Sequence, residues 1–144
     1  MTKAERIAAF LLDHTSGPAG MSGEEFLIAL RAAPADLFDP DGEFEMVGDD
    51  FGGFTTAVPG SEAGTLWSDW TDTYESYRLE AVDLEEGDEV VVFLLNAHGR
   101  TRTGGVEVEH EAAGVFRFGG DRVVRVELYL DWNQAREAAG LERR

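Results

Sequence analysis

The sequence has no cysteine. That excludes a disulfide framework, thiolate nucleophiles and cysteine-ligated metal. It also leaves the compartment unconstrained by redox, so a cytoplasmic location is the default expectation. Basic residues are scarce: 12 Lys and Arg stand against 29 Asp and Glu, a net charge of −17. A surface this acidic repels phosphate backbones and anionic headgroups, so neither nucleic acid nor a membrane surface is an expected partner. Long hydrophobic runs are missing too, none approaching the ~20 residues of a membrane span. The N-terminal run MTKAERIAAFLLDHTSG has only a short apolar centre. Ile7, Phe10 and Leu11 are spaced there as one helix face, which predicts a first helix and not a signal peptide. No internal repeat, low-complexity stretch or interdomain linker interrupts the chain. No phosphate-cradling glycine motif is present, and Gly52-Gly53 and Gly119-Gly120 are turn glycines. His14, His98 and His110 are not at metal-ligand spacing, so no metal and no cofactor is expected.

What is present is globular. The hydrophobic share is 43%, with nine Phe, three Tyr and three Trp in 144 residues. One domain covering 1–144 can bury roughly two thirds of its unfolded surface.

In chain order, Ala4 to about His14 reads as an amphipathic helix, broken by Ser16-Gly17-Pro18-Ala19-Gly20. Ser22 reads as the N-cap of a second helix carrying Phe26, Leu27 and Leu30, with Leu37 continuing the apolar face. Asp39-Pro40-Asp41-Gly42 is a turn signal. Glu43–Val47 alternates as a short strand, and 48–64 reads as loop. Ser61 or Thr65 would cap a helix whose Trp67, Trp70 and Tyr74 share one face at i, i+3, i+7. From Ser76 the chain is extended. Tyr77–Leu84 is one strand, and Glu89–His98, with its run VVVFLL, is a second strand covered on both faces. After the loop Gly99–Gly105, Val106–Phe118 and a last strand form a hairpin about the turn Gly119–Arg122. Asp131 or Asn133 would cap a short helix, Gln134–Ala139, ended by Gly140. Helices followed by a meander of long strands predict an α+β fold with helices on one face of a curved sheet.

The run from Trp67-Ser-Asp-Trp70 through Tyr77-Arg-Leu-Glu, Gly87-Asp-Glu-Val-Val-Val, Gly104-Gly105-Val-Glu, Val115-Phe-Arg-Phe-Gly-Gly-Asp-Arg-Val-Val-Arg-Val-Glu-Leu-Tyr129-Leu-Asp131 to Ala139-Gly140-Leu141 resembles the SnoaL-like branch of the nuclear-transport-factor-2-like superfamily. The resemblance implies a cone-shaped half-barrel: N-terminal helices packed on a curved antiparallel sheet over a pocket, and a short C-terminal helix. It implies pairing as a homodimer through the sheet. Activities in that superfamily include polyketide cyclisation, ketosteroid isomerisation and epoxide hydrolysis, so the fold sets a pocket and not a reaction. Many relatives have a His or Asp two residues before the Phe corresponding to Phe116, where this chain has Gly114. By the same comparison, Asp131 stands where cyclase relatives place an acid/base aspartate.

Alternation along Val106–Phe118 puts Glu107, Glu109 and Glu111 on a wet face, and His110, Ala112, Gly114 and Phe116 on the inner one. With Phe118 opposite Val123, an unbroken register places Gly114 opposite Glu127, Ala112 opposite Tyr129 and His110 opposite Asp131. Glu127, Tyr129, Asp131 and His110 would then share the concave side. Asp131 and His110 would form an acid/base pair, with Tyr129 as an oxyanion donor. The competing reading makes Asp131 a helix cap and His110 a half-exposed strand residue near a rim. Trp67, Trp70, Tyr74, His98, Glu127 and Phe116 are the candidate ligand contacts. Trp67, Trp70 and Tyr74 equally suit a core, and His98 a structural role beside a loop.

Two functions follow as expectations. One is a cofactor-free acid/base isomerase, cyclase or hydrolase acting on a small apolar organic molecule. The other is a non-catalytic ligand-binding or dimerisation module.

Overall fold

The computed structural model describes residues 2–12, 21–22, 35–47 and 57–141. Its elements in order are α1 (Lys3–Leu12), β1 (Met21–Ser22), β2 (Phe38–Val47), β3 (Val58–Pro59), a 3-10 turn (Gly60–Glu62), α2 (Ala63–Thr71), β4 (Tyr74–Gly87), β5 (Val90–Thr101), β6 (Glu107–Gly119), β7 (Arg122–Tyr129) and α3 (Trp132–Ala138). The expected second helix over 23–34, most of the expected loop over 48–64, and His14 lie outside the described residues. Ser22, read as a helix cap, pairs its backbone with Arg78 as part of β1.

The sheet is curved and unclosed, in the order β1-β4-β5-β6-β7-β2-β3. The meander β4–β7 is antiparallel, as its short turns demand. Beyond the meander the sheet is mixed, because β2 runs parallel to β7. A parallel neighbour needs a long crossover, and the chain between β2 and β7 contains α2 and the meander.

β4 and β5 are longer than their local signals suggested. β4 continues through Glu85 and Glu86 to Gly87, and β5 starts at Val90 after the two-residue turn Asp88-Glu89. Glu89 takes φ +56° there, a conformation disfavoured for a residue with a Cβ. Its carbonyl accepts from the Phe118 amide at 2.8 Å, which ties the turn to β6.

Both faces of β5 are buried, as its apolar run predicts. Val91 and Ala97 join the concave core with Ile7 and Phe10 of α1 and Trp67 and Trp70 of α2. Val90, Val92 and Leu94 belong to a second core, with Ala113, Val115, Tyr129 and Ala135. α3 therefore packs on the outer face. The Trp132 indole N–H holds it there, donating to the Leu95 carbonyl at 2.9 Å and the Ala112 carbonyl at 3.0 Å.

The β6–β7 hairpin turns where expected, with Gly120 at φ +70°. Glycine first in a two-residue turn suits the right-handed twist of the strands. Phe118 pairs with Val123, also as expected. The next pair is Arg117 with Arg125, so Val124 is an extra residue on β7. This β-bulge shifts everything beyond it by one place. Val115, not Gly114, faces Glu127, and Ala113, not Ala112, faces Tyr129.

Candidate functional site

The bulge decides which side chains reach the concave side. Val126 and Leu128 point into the inner core. Glu127 and Tyr129 point to the outer face, with Tyr129 in the core beneath α3. The expected concave cluster of Glu127, Tyr129, Asp131 and His110 is therefore corrected. A one-residue slip reverses every side chain beyond it.

On the outer face Glu127 is only 7% exposed. Arg117 grips it with two hydrogen bonds of 3.1 Å. Arg125 Nε donates to it at 2.8 Å, and the Tyr129 hydroxyl donates at 3.0 Å. Arg117 also donates to the Ala138 carbonyl at 2.7 Å, joining the network to the end of α3. Arg125 extends the network to Glu45 and, at 3.4 Å, to Glu43. Burial pushes the Glu127 carboxyl up, yet the hydrogen bonds from Arg117 and Arg125 outweigh it and hold the group below the ordinary carboxylate range. Burial and the neighbouring Glu127 charge push the Tyr129 hydroxyl up to about 12. Both groups are fully committed to one another and to the arginines.

Asp131 is the N-cap of α3, its Oδ1 accepting from the Gln134 amide at 2.9 Å. Continuing the observed register puts it across from Glu111, whose carboxylate accepts from the Trp132 amide at 3.0 Å. The expected pairing of Asp131 with His110 is thus corrected. Asp131→Ala is expected to cost about 1 kcal/mol, the usual worth of an N-cap. Urea unfolding of the variant checks this, and an unchanged midpoint would refute the capping role.

His110 does face inward, beside Ala97 on β5. Its Nδ1 lies 2.8 Å from the Glu111 carbonyl, which assigns the proton to Nδ1. Nε2 then accepts from the Tyr77 hydroxyl at 3.4 Å. Burial, with Tyr74 adding to it, pushes the Tyr77 hydroxyl far above its ordinary value, so this group stays a donor.

Tyr77 is the centre of an aromatic stack. Its ring centroid is 5.6 Å from Trp67 and 5.1 Å from both Trp70 and Tyr74. Tyr74 is the first residue of β4 and not, as its spacing suggested, part of the helix. α2 stops at Thr71, where the Thr71 and Thr73 hydroxyls donate to the Trp67 and Trp70 carbonyls at 3.0 and 2.8 Å. The three rings still meet, because the chain folds back at once. They leave a void of only about 20 Å³, lined by Trp67, Trp70, Tyr77, Leu95, Ala112 and Leu128. That is about enough for one water. Nor does Gly114 open space, because a Cβ there would lie 3.1 Å from the Phe116 ring, which folds over it.

His98 is on the outer face, 3.3 Å from Glu80 and 3.9 Å from Glu109. Among the described residues, no group of three or more His, Asp or Glu is arranged to hold a metal ion. No helix of those residues is long and apolar enough to cross a membrane.

The larger space lies at the other end of the concave side. A cavity of about 340 Å³ is walled by Phe10, Phe38, Phe44, Phe116, Val123 and Val126, with Ala63 and Ser61 at the start of α2. Of the expected ligand contacts, only Phe116 lines it. The Asp39-Pro40-Asp41-Gly42 signal forms its edge. In place of a turn between elements, these residues bulge within β2: Phe38 pairs with Val123 and Glu43 with Arg125. Gly42 is needed there, since a Cβ would sit 2.9 Å from the Val124 carbonyl oxygen. Both bulges border the cavity, which Gly42 of β2 and Val124 of β7 help to line. The sequence signal was the turn motif beside Phe38 and Phe44, but nothing local linked it to Val124.

No protein-family model matches the sequence, and no curated protein matches it. Solved structures do match its fold. A nuclear-transport-factor-2-like protein of unknown function from Burkholderia pseudomallei shares 18% identity, over 96% of this chain and 98% of that one, at a TM-score of 0.64. A protein described as a SnoaL-like polyketide cyclase from Jannaschia shares 11% identity, over 99% and 97%, at 0.62. A ketosteroid isomerase-like protein from Catenulispora acidiphila, solved with trimethylamine, shares 13%, over 98% and 96%, at 0.59. The chain has the nuclear-transport-factor-2-like fold of these SnoaL-like and isomerase-like proteins.

Proposed function

We propose that this protein binds a small, largely apolar organic molecule in the concave cavity between α1, β2, β6 and β7. The observation that carries this reading is the cavity of about 340 Å³ with its phenyl and valine walls. Small-molecule sites have this size and this mostly apolar lining. Similarity of fold to a protein solved with trimethylamine and to a SnoaL-like polyketide cyclase supports a small ligand. Binding without turnover is favoured, because no His and no Tyr lines the cavity among the described residues.

The test uses N-phenyl-1-naphthylamine, a neutral dye that brightens in apolar surroundings. The wild type is expected to bind it. Val126→Phe puts a ring into the cavity and is expected to weaken binding by at least about tenfold, at a stability cost of about 1–3 kcal/mol. Dye affinity and urea midpoint are measured on the same samples. A folded Val126→Phe protein that binds as the wild type does would place the site elsewhere.

A second reading keeps cofactor-free isomerase, cyclase or hydrolase chemistry. It rests on the Tyr77 hydroxyl aimed at His110 Nε2 at 3.4 Å. His110 would act as base, with Tyr77 positioning it. Asp131 and Tyr129 would take part only if the outer face opened. For catalysis at this end the aromatic stack must move, since about 20 Å³ admits no organic substrate. Pairing of two copies through the sheet and a cytoplasmic location complete the proposal; light scattering at micromolar concentration tests the first.

A further inference from the structure

We propose that the concave cavity selects flat aromatic molecules of about two fused rings over saturated molecules with the same skeleton. This names the ligand class of the binding reading above and rests on it. Phe10, Phe38, Phe44 and Phe116 all line the cavity. All four belong to the inner core or pack against it. They come from three elements, α1, β2 and β6, so the fold as a whole and not one strand's alternation brings the rings together. Phe44 and Phe116 are 1% and 4% exposed. Packing therefore fixes those rings before a guest arrives, and binding has little wall to order.

The walls are not stacked flat on one another. Phe38 stands edge-to-face with Phe10, at a centroid distance of 5.0 Å and an interplanar angle of 62°. It stands in the same way to Phe116, at 6.5 Å and 64°. A phenyl ring is negative over its face and positive at its edge. Rings turned so steeply to each other offer both kinds of surface to the space they share. A flat aromatic guest brings the same two surfaces, and meets a wall edge with its face or a wall face with its edge. A saturated guest of the same skeleton has neither surface, and gains from burial of its area alone. Volume sets the number of rings. An apolar cavity of about 150 Å³ holds one benzene. The space of about 340 Å³ is roughly twice that.

The probes are 2-naphthol and trans-decahydro-2-naphthol, which share a carbon skeleton and a hydroxyl and differ in aromaticity, with phenol as the one-ring reference. Calorimetry gives each affinity, and displacement of N-phenyl-1-naphthylamine places each probe in the same site. 2-Naphthol is expected to bind about tenfold tighter than its saturated counterpart, as one or two aromatic contacts of ordinary strength allow. It should bind about tenfold tighter than phenol, which buries about one ring less. Phe38→Leu keeps the wall apolar and removes the ring that meets both neighbours. It should reduce the aromatic preference to about threefold or less, with the saturated probe bound within about threefold of its wild-type affinity. Phe116→Leu is the second variant, and urea midpoints show which of the two remain folded. A saturated probe that binds the wild type as tightly as 2-naphthol overturns the inference while the cavity reading stands. An undiminished preference in the folded variants overturns it too. If neither two-ring probe displaces the dye, the cavity reading falls and takes the inference with it.

Discussion

Trp67→Ala is expected to lower the unfolding free energy by about 3–5 kcal/mol, the range for deleting a buried aromatic side chain. Trp67 is 2% exposed and touches Trp70 and Tyr77 at centroid distances of 5.6 Å. Removing the indole joins its volume to the void of about 20 Å³ already beside it. The product is an apolar cavity next to Tyr77 and His110, the space that the sequence pattern led one to expect there. Free indole should fill it and raise the melting temperature of the variant in a concentration-dependent way. It should leave the wild type unaffected at that position. Urea unfolding and thermal melts with and without indole decide the matter. A loss below about 1 kcal/mol, well short of the usual cost of removing a buried aromatic, would show that α2 is not seated as described.

Glu127→Ala has the second largest expected effect, about 2–3 kcal/mol at neutral pH. Breaking a buried ion pair by removing one partner costs about 3–5 kcal/mol where the other charge stays dry. Here Arg117 and Arg125 keep 33% and 25% of their side-chain surface in water, which relieves part of that cost. The sign of the pH dependence follows from the lowered carboxyl of Glu127. Its stabilisation is fully present above the unfolded-state value of about 4.3. It is lost as pH falls through the lower folded-state value. The wild type should therefore lose stability below about pH 4 more steeply than Glu127→Ala does. Parallel curves for the two proteins from pH 6 to pH 3 would rule out this network as an acid-sensitive element.

Much of the fold was legible along the chain. The run VVVFLL announced a strand covered on both faces, and Gly119-Gly120-Asp121-Arg122 announced the hairpin turn with its pair Phe118–Val123. Of the two caps expected for the last helix, Asp131 and Asn133, Asp131 is the one used. What was not legible was Val124. No glycine in β7 marks the bulge, and the irregularity it faces lies in β2, some 80 residues earlier in the chain. One global cue was present. Val124, Val126, Leu128 and Leu130 form the more apolar row of β7, and burial favours sending such a row inward. Requiring that would have turned Glu127 and Tyr129 outward and exposed the need for an extra residue.

The hairpin from Glu107 to Tyr129 shows what each level decides. Sequence alone determined that two long strands meet at a tight turn, because period-2 alternation and turn glycines are local properties. It also determined the fold class and the absence of cysteine chemistry. Only the tertiary structure decided which face is wet and which groups meet. α3 folds back over the outer face and makes it a second core, so the row containing Glu127 and Tyr129 is buried away from the concave side. Phe116 lies across Gly114 and takes the space a missing side chain left. The cavity opens instead where two bulges oppose each other. Register is a relation between strands, set by packing on both faces of the sheet, and a single residue of slip moves every side chain to the other face.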